Sequence, residues 1–372
     1  MSRRGAPRKR DPEARAKRLA AEPSNKRTLI LPTFRRRLLA WYRANRRELP
    51  WRRTSDPYRI WLSEIMLQQT RVAAVLGHYR RFLRRFPSVT ALARAREGDV
   101  LAAWSGLGYY RRARMLHRAA KLVAGRRRFP RRSEDWLQLP GIGRYTAAAI
   151  SSIAFGEATA VVDGNVKRVL SRLYGRHDLP DDVPDGIPNS DAWALANQLL
   201  DPAHPADFNQ AMMELGALIC LPRNPRCGQC PVRASCAGRE PSREKKNKTF
   251  GSRLRQPIAY TLALRRGSVW LVQRARSESR MAGMWELPPA AATSPPLLRL
   301  RHSITNTDYD VTIHAASLEG SNPGLDLRPG RNAAVSGRWV RLSRIDALPL
   351  TGLTRKVLRL AVHADHKATK NI

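Results

Sequence analysis

The chain has 372 residues, 42% of them hydrophobic, which is enough for two or three domains with packed cores. It carries 68 Lys and Arg residues against 30 Asp and Glu residues, a formal net charge of +38. This excess argues against a free-standing metabolic enzyme and favours a polyanionic partner, for which nucleic acid fits better than an anionic membrane. No uninterrupted apolar stretch reaches the roughly 18 residues of a membrane span, and no hydrophobic signal segment opens the chain. We therefore expect a cytoplasmic protein with reduced thiols.

The character of the sequence changes along the chain and predicts five segments. Residues 1–27 carry ten Lys and Arg residues against three acids and almost no large apolar side chains, which predicts a disordered basic arm. Helical periodicity then dominates and predicts an all-α domain over residues 28–237. The charged stretch 238–256 predicts a linker. Short β-branched and aromatic runs after it predict a smaller α+β domain over 257–362, followed by a polar tail, 363–372.

One acidic residue, Glu64, stands inside the apolar stretch RIWLSEIMLQQT at residues 59–70, which is typical of a buried helix. Positions three and four residues away share its face, and most of them are apolar. An unpaired carboxylate there is strongly destabilising or takes up a proton. Glu64 is therefore either a structural carboxyl paired with an arginine or a functional acid with a raised pKa.

A glycine-rich connection occurs in LPGIGRYTAAAI, residues 139–150, between an apolar helix end and a helix start of small residues. Gly141 and Gly143 let the backbone approach a ligand closely, and the N–H groups that begin the next helix can bind an anion. A DNA phosphate fits this pattern. An ordinary tight turn between helices is the alternative.

A second acid, Asp163, ends an apolar run in AVVDGNVKRVLSRL, residues 160–173. Its position predicts that it caps the helix that follows. Capping alone is the alternative to a catalytic role.

All four cysteines fall in one 17-residue window with the spacing C-x6-C-x2-C-x5-C, at Cys220, Cys227, Cys230 and Cys236. Four thiolates brought together by short loops can hold a tetrahedral zinc ion or an iron–sulfur cluster. Structural zinc usually uses two close pairs, and only one C-x2-C occurs here, so the spacing favours a cluster. Disulfides and loose thiols are the remaining alternatives.

The intrahelical glutamate, the glycine hairpin, the aspartate of VDGNVKR and the cysteine window, in this order, closely resemble the endonuclease III superfamily of DNA glycosylases. Within it, the motifs WLSEIMLQQT, GLGYYRRAR, LPGIGRYTAAAI, VDGNVKRVLSRLYG and FNQAMMELGALIC resemble MutY-type adenine DNA glycosylases. The resemblance is dense from Thr28 to Glu240 and continues more weakly into the C-terminal domain, where MAGMWELP is similar to that family's Nudix-like module. It implies a multidomain protein: an all-α helix-hairpin-helix glycosylase domain with a [4Fe–4S] cluster loop on the four cysteines, then a smaller α+β Nudix-like domain.

The resemblance also implies catalytic roles. Cleavage of a purine–deoxyribose bond needs a proton for the leaving base and a negative charge beside the sugar cation. Glu64 is then the acid that protonates the flipped adenine, Asp163 stabilises or covalently traps the sugar cation, and Asn165 orients the aspartate or the water. Lyases of the superfamily carry a Schiff-base lysine where this chain has Tyr145, which implies base removal without an efficient lyase step. Tyr145 as an ordinary core aromatic is the alternative.

Further residues are implied to contact DNA or the flipped adenine. Two wedges fill the gap that base flipping leaves, and a pocket holds the base. By resemblance these are Gln69 and Thr70 for one wedge, Leu107 and Tyr109 for the other, and Arg47, Trp51 and Glu214 for the pocket. Leu107 and Trp51 could instead be core residues, and Arg47 could belong to a solvated face.

The C-terminal domain departs from the family at the loop that reads 8-oxoguanine. The family pattern is H-x-F-S-H, and the aligned stretch here is LRHSITNTDYDV. His302 matches, but Ile304, Thr305 and Asn306 stand where Phe, Ser and His are usual. Thr305 keeps a hydroxyl that can make one hydrogen bond, so we expect the preference for 8-oxoguanine to be kept but weakened.

Together these features predict a base excision repair enzyme that removes adenine mispaired with 8-oxoguanine or guanine in double-stranded DNA. We expect a nucleoid-associated monomer with no membrane partner. One alternative is an endonuclease III-like pyrimidine glycosylase and AP lyase, against which Tyr145 argues. Another is a non-catalytic iron–sulfur DNA-binding protein, against which the presence of both acids argues. A Nudix hydrolase needs a run of glutamates after GMWELP, where PAAATSPPLL follows instead.

Overall fold

The computed structural model describes residues 30–126, 128–175, 187–238, 254–278, 280–290, 295–304, 307–316 and 337–368. The predicted basic arm, most of the predicted linker and Thr305 lie outside these residues. None of the described helices is long and apolar enough to cross a membrane.

The described residues form twelve α-helices, named here in chain order. They are α1 Leu31–Asn45, α2 Pro57–Leu67, α3 Val72–Arg85, α4 Val89–Arg94, α5 Glu97–Trp104, α6 Arg111–Ala124, α7 Ser133–Leu137, α8 Arg144–Phe155, α9 Gly164–Leu173, α10 Asn189–Leu199, α11 Pro205–Leu218 and α12 Gly352–Ala368. Short 3-10 turns lie at Pro50–Arg52, Cys227–Gln229, Arg233–Ser235 and Leu342–Ala347.

The described residues after the helical region form seven strands, in the part of the chain where β-branched and aromatic runs predict them. They are β1 Leu254–Leu262, β2 Leu264–Arg265, β3 Ser268–Gln273, β4 Trp285–Glu286, β5 Leu298–Ile304, β6 Thr307–Ala315 and β7 Gly337–Arg341. One sheet has the order β1-β6-β5, in which β1 and β6 are parallel and β5 and β6 are antiparallel. In the other sheet β3 pairs with β2, β4 and β7. Leu353, Val357 and Leu358 of α12 complete the apolar core of this C-terminal module, which confirms the predicted α+β class.

The chain divides into two compact units whose boundaries differ from those predicted. The first takes the described residues up to Val72 and those between Leu122 and Lys245; the second takes Ala73–Lys121 and the described residues after Lys245. The segment that carries α4, α5 and most of α3 and α6 thus belongs with the C-terminal module. Hydrogen bonds between residues about 240 positions apart in the sequence hold this unit together, and no local sequence pattern reveals them.

In the first unit, helices α1, α8, α9, α10 and α11 surround a common apolar core. The small residues of α8 let it pack closely against α2 and α11, and α11 also packs against α9 and α1. These contacts fix the positions of α2, α8 and α9, which carry the two predicted catalytic acids and Tyr145.

Candidate active site

Glu64 lies in the middle of α2, in a helix with a well-defined start. Asp56 caps its first turn by accepting hydrogen bonds from the N–H groups of Tyr58 and Arg59, and Pro57 fixes the backbone of the first helical position. The helix ends at Leu67, so the helical stretch predicted over residues 59–70 is too long. Gln69 has a φ of 55°, a left-handed conformation in which no helix continues.

The carboxyl of Glu64 is buried, with 7% of the residue exposed, and Tyr145 is its hydrogen-bond partner. The Tyr145 hydroxyl donates to Glu64 Oε2 over 2.9 Å and lies 3.2 Å from Met213 Sδ. Burial raises the pKa of Glu64 to about 7, the charge of Asp163 adds to the rise, and the Tyr145 hydrogen bond opposes it. Burial also raises the pKa of Tyr145 well above its usual range, so its hydroxyl remains a donor. Glu64 can therefore carry a proton near neutral pH.

Asp163 caps the N-terminus of α9, as predicted, and is also tied to its neighbours by both carboxylate oxygens. Oδ1 accepts from the Val166 N–H over 2.7 Å, and Oδ2 accepts from Asn165 Nδ2 over 3.0 Å. Burial raises the pKa of Asp163 above its ordinary value, and these hydrogen bonds and the charge of the nearby Arg168 offset the rise in part. Hydrogen bonds of this kind favour the ionised carboxylate. The two acids thus differ, because Glu64 accepts from one neutral hydroxyl, whereas Asp163 accepts from two N–H donors and lies near the charge of Arg168.

Asn165 is held in place by a glycine and an arginine that the sequence analysis did not identify. A Cβ on Gly216 of α11 would come within 2.7 Å of Asn165 Cβ, so only glycine lets the two helices approach this closely. Arg168 Nη2 donates to Asn165 Oδ1 and to the Gly216 carbonyl, both over 2.9 Å. The i, i+3 spacing of Asn165 and Arg168 on a helix was the available sequence signal.

Glu214, predicted to line the adenine pocket, is fully buried and paired with two arginines. Its carboxylate accepts from the backbone N–H and guanidinium of Arg47 and from the guanidinium of Arg52, over distances of 2.6 to 3.0 Å. These contacts hold the pKa of Glu214 at about 2, although burial alone would raise it. The arginine-paired structural carboxyl is thus Glu214 and not Glu64. The sequence analysis missed Arg52, which lies 162 positions from its partner. Trp51, beside it, is buried.

The glycine hairpin lies between α7 and α8. Gly141 has a φ of 80°, which favours glycine, and Gly143 precedes α8 with open space where a Cβ would be. Glu157 fixes the start of α7 by accepting from the N–H and hydroxyl of Ser133. The N-terminus of α8 has no side-chain cap and no acidic residue in its first turn. Its N–H groups therefore remain available for an anion.

The two predicted wedges both lie at turns with left-handed backbone. Gln69 is exposed at a φ of 55°, and Thr70 follows it. Tyr109 is 49% exposed at a φ of 49°, whereas Leu107 is buried. A side chain held outward on a strained turn suits insertion between bases better than a buried one does.

The four cysteines lie on the loop after α11, where three of them pack against the core of the first unit. Arg172 Nη1 donates to Cys220 Sγ over 3.3 Å, and Arg168 Nε donates to the Cys220 carbonyl over 2.9 Å. Burial, together with the charges of the other three thiols, raises the pKa of Cys230 to about 11. Metal binding must therefore displace protons from these thiols.

The four thiols lie near one another. Among the described residues, no three His, Cys, Asp or Glu side chains are close enough to hold one metal ion. The four sulfurs nevertheless lie near enough to shift the pKa of Cys230. Four thiolates at this spacing can hold a tetrahedral zinc ion or an iron–sulfur cluster.

Comparison with known proteins agrees with this geometry. Residues 62–184 match the HhH-GPD superfamily of base excision DNA repair proteins, and residues 220–236 match the iron-sulfur binding domain of endonuclease III. The structure of a thermostable thymine-DNA glycosylase is similar, with a TM-score of 0.51 and 31% identity over 56% of this chain and 96% of that one. The helical region is thus a helix-hairpin-helix glycosylase fold that carries a [4Fe–4S] cluster module, and the matched residues 62–184 include the segment 73–121 of the second unit.

Relatives named adenine DNA glycosylase extend the match. The protein of Buchnera aphidicola subsp. Acyrthosiphon pisum is 34% identical over 251 residues, which cover 66% of this chain and 71% of that protein. The human protein is 41% identical over 275 residues, which cover 71% of this chain. The chain belongs to the adenine DNA glycosylase family, which confirms the resemblance seen in its motifs. It spans 50% of the length of the human protein and 41% of the rat protein.

Proposed function

We propose that this protein removes adenine from mispairs with 8-oxoguanine or guanine in double-stranded DNA by hydrolysing the N-glycosidic bond, as a step of base excision repair. The observation that carries the proposal is the group formed by Glu64, Tyr145 and Asp163. Glu64 is a buried carboxyl with a pKa of about 7, and Tyr145 is its hydrogen-bond partner. The charge of Asp163, whose carboxylate is stabilised by N–H donors, acts on Glu64. Glycosidic cleavage needs this pair of opposite carboxyl roles.

The reaction begins with the proton of Glu64. The carboxyl transfers it to a ring nitrogen of the flipped adenine, so that the base departs as a neutral leaving group when the C–N bond breaks. The electron pair of that bond leaves with the base and the sugar becomes an oxocarbenium-like cation. Asp163 stabilises the cation through its negative charge or through a transient covalent bond. Water then adds to C1′ and loses a proton to a carboxylate, which completes the hydrolysis.

Other residues of the first unit support this chemistry. Asn165 and Val166 orient the Asp163 carboxylate, and Glu214 holds Arg47 and Arg52 at fixed positions beside Trp51, where they line the adenine pocket. The exposed glycine hairpin and the uncapped start of α8 bind a DNA phosphate. The charge of +38 supplies the remaining attraction to the duplex.

The four cysteines would hold a [4Fe–4S] cluster, which would order their loop and take no part in bond breaking. The positive potential at this loop comes from the exposed Arg223, Arg226 and Arg233, which can contact the DNA backbone. Tyr145 stands where a lyase of the superfamily has its Schiff-base lysine, so the enzyme leaves the DNA strand intact. An endonuclease III-like pyrimidine glycosylase and lyase is the alternative that this position disfavours.

In the C-terminal part we propose a Nudix-like module that reads the base opposite the adenine. Its α+β class and the MWELP segment at Met284–Pro288, with Trp285 and Glu286 buried, support this assignment. Strand β5 ends at Ile304 and strand β6 begins at Thr307, and these two residues are paired. Thr305, between them in the sequence, lies outside the described residues. Its hydroxyl is the proposed contact to 8-oxoguanine.

The roles of the acids are tested by Glu64→Gln and Asp163→Asn. Each should slow adenine excision by roughly a hundredfold or more while duplex binding persists, because each variant loses a proton donor or a negative charge without a change of shape. Single-turnover rates on a duplex with adenine opposite 8-oxoguanine measure the effect. Glu134→Gln and Asp135→Asn, which change exposed carboxyls of α7, are the matched controls. Near-wild-type excision by either test variant would overturn the assignment.

A further inference from the structure

The turn that carries Tyr109 has an unusual backbone. Gly106 and Gly108 have φ values of 102° and 70°, and Tyr109 has a φ of 49°. Two of these residues are glycines, for which such angles are unstrained, but tyrosine at this φ is strained. A strained residue keeps its conformation only where its surroundings hold it. The contacts around the turn therefore decide how Tyr109 is presented.

Two side chains from the helical segment of the second unit, Trp104 and Arg112, hold the turn. Trp104 Nε1 donates to the Gly108 carbonyl over 3.1 Å, and Arg112 Nη2 donates to the carbonyls of Leu107 and Gly108, both over 3.2 Å. The Arg112 guanidinium also lies over the rings of Trp104 and Tyr109, 5.5 and 5.4 Å from their centroids. These contacts set the shape of the turn but leave its two flanks, Ser105 and Tyr110, to be fixed by other partners.

The C-terminal module binds both flanks. Ser105 Oγ and Tyr110 OH donate to the same acceptor, the buried carbonyl of Leu350, over 3.2 and 3.3 Å. Arg355 of α12 donates from Nε to Ser105 Oγ over 3.0 Å and from Nη1 to Asp346 Oδ1 over 2.6 Å. Ser105 and Tyr110 are themselves buried. Each end of the turn is thus hydrogen-bonded to the C-terminal module.

The Leu350 segment is itself fixed to the second sheet. The Trp285 N–H donates to the Pro349 carbonyl over 2.9 Å, and the Thr351 N–H donates to the Trp285 carbonyl over 3.0 Å. A second connection runs from Arg114 of α6 to the carbonyl of Ala282, just before β4. These hydrogen bonds join β4 to the Leu350 segment, and Leu350 in turn accepts from both flanks of the Tyr109 turn. A displacement of β4 would therefore move the flanks of the turn.

We propose that Arg355, Ser105 and Tyr110 form a clamp through which the C-terminal module holds the Tyr109 turn in the conformation that opens the duplex, with Arg355 as its positioning residue. The inference rests on the proposed function, because it assumes that Tyr109 enters the base stack. In this proposal the C-terminal module promotes opening of the duplex and also reads the opposite base.

The test is Arg355→Met in the full, cluster-loaded chain. Arg355 Nη2 is buried without a hydrogen-bond partner among the described residues, so an apolar side chain of similar length should be tolerated at this position. Arg359→Met, which removes the same charge from an exposed position on α12, is the matched control. Ser105→Ala removes the hydroxyl between Arg355 and Leu350 and serves as a second variant if Arg355→Met fails to fold.

The readout is the fluorescence of 2-aminopurine placed beside the target adenine in a duplex with 8-oxoguanine opposite, which rises when the stack opens. Glu64→Gln is present in every sample to prevent excision. At saturating protein we expect the rise to be at least threefold smaller with Arg355→Met or Ser105→Ala than with Arg359→Met. An equal rise in all variants, or no rise in the Glu64→Gln parent, would overturn the clamp. Failure of wild-type protein to release adenine would instead refute the proposed function alone.

Discussion

The carboxyl of Glu64 makes the free energy of unfolding depend on pH. Burial raises its pKa from 4.5 to about 7. Below pH 4.5 the group is protonated in both states and has no effect. Between pH 4.5 and about 7 the unfolded chain is ionised while the folded chain keeps the proton, so the fold progressively loses about 3 kcal/mol of stability, and the loss is complete above about pH 7. The charge of Arg52 offsets this rise in pKa only in part, because Arg52 and Arg47 form their salt bridges with Glu214. A purely structural role does not explain why the chain keeps a carboxyl that destabilises the fold. A role as an acid that must keep its proton does explain it.

The same pKa predicts the pH dependence of excision. Since Glu64 must be protonated to act, the single-turnover rate should fall as the pH rises above about 7. The Tyr145 hydrogen bond stabilises the ionised form, so Tyr145→Phe should raise the pKa of Glu64 and move this alkaline limb to higher pH. Rate profiles of wild type and variant between about pH 5 and 9 measure the shift.

Tyr174→Phe is the matched control for this experiment, because Tyr174 is a largely buried tyrosine at the other end of α9. It should leave the profile unchanged. A limb that moves to lower pH in Tyr145→Phe, or a rate that does not depend on pH, would show that Glu64 is not the acid.

At the scale of elements, α9 connects the candidate active site to the cysteine loop. Its first residues follow the capping Asp163, Arg168 joins Asn165 to the Cys220 carbonyl, and Arg172 binds Cys220 Sγ. A cluster that orders the cysteine loop therefore also orders the partners of these arginines. Helix α8, which follows the glycine hairpin, reaches the same site through Tyr145.

This arrangement predicts the effect of removing the cluster. The purified protein should be brown, with broad visible absorption and equal amounts of iron and sulfide, because residues 220–236 match an iron-sulfur binding domain. Bleaching of the cluster should lower excision and duplex binding together, since the cysteine loop and its arginines lose their order. Absorbance, iron content and rate are measured on the same samples. A colourless, fully active protein with one zinc ion per chain would refute the cluster.

Local motifs were sufficient to predict these elements, whereas contacts between distant segments were not predictable. Glu64, Asp163 and the glycine hairpin lie in short patterns whose chemistry depends on neighbours three or four residues away. The salt bridge of Glu214 to Arg52 and the approach of Gly216 to Asn165 join different helices, and no periodicity in the sequence reports such pairings. The helix end at Leu67 was missed because glutamine at a left-handed φ has no strong sequence signature.

At the scale of the whole molecule, residues 73–121 belong with the C-terminal module, which changes how mismatch recognition should be tested. Deletion of the module would expose Ser105 and Tyr110, whose hydroxyls are bonded to Leu350. A substitution at Thr305 avoids this damage.

Thr305→Ala should slow excision opposite 8-oxoguanine more than excision opposite guanine. One hydrogen bond from a polar site contributes about 1–3 kcal/mol, or roughly a 5- to 150-fold difference in rate. Thr307→Ala, at the start of β6, is the control and should affect both substrates alike. Equal slowing by Thr305→Ala on both duplexes would place recognition of the lesion elsewhere.

The central claim is that the full chain releases adenine and leaves the strand intact. The most direct measurement is a single-turnover assay on two duplexes, one with adenine opposite 8-oxoguanine and one with thymine glycol, each analysed with and without alkali. We expect free adenine from the first duplex, strand breaks only after alkali, and no reaction with thymine glycol, because Glu64 and Asp163 are present and Tyr145 provides no Schiff-base amine. Removal of thymine glycol with strand cleavage in the absence of alkali, and no release of adenine, would contradict the account.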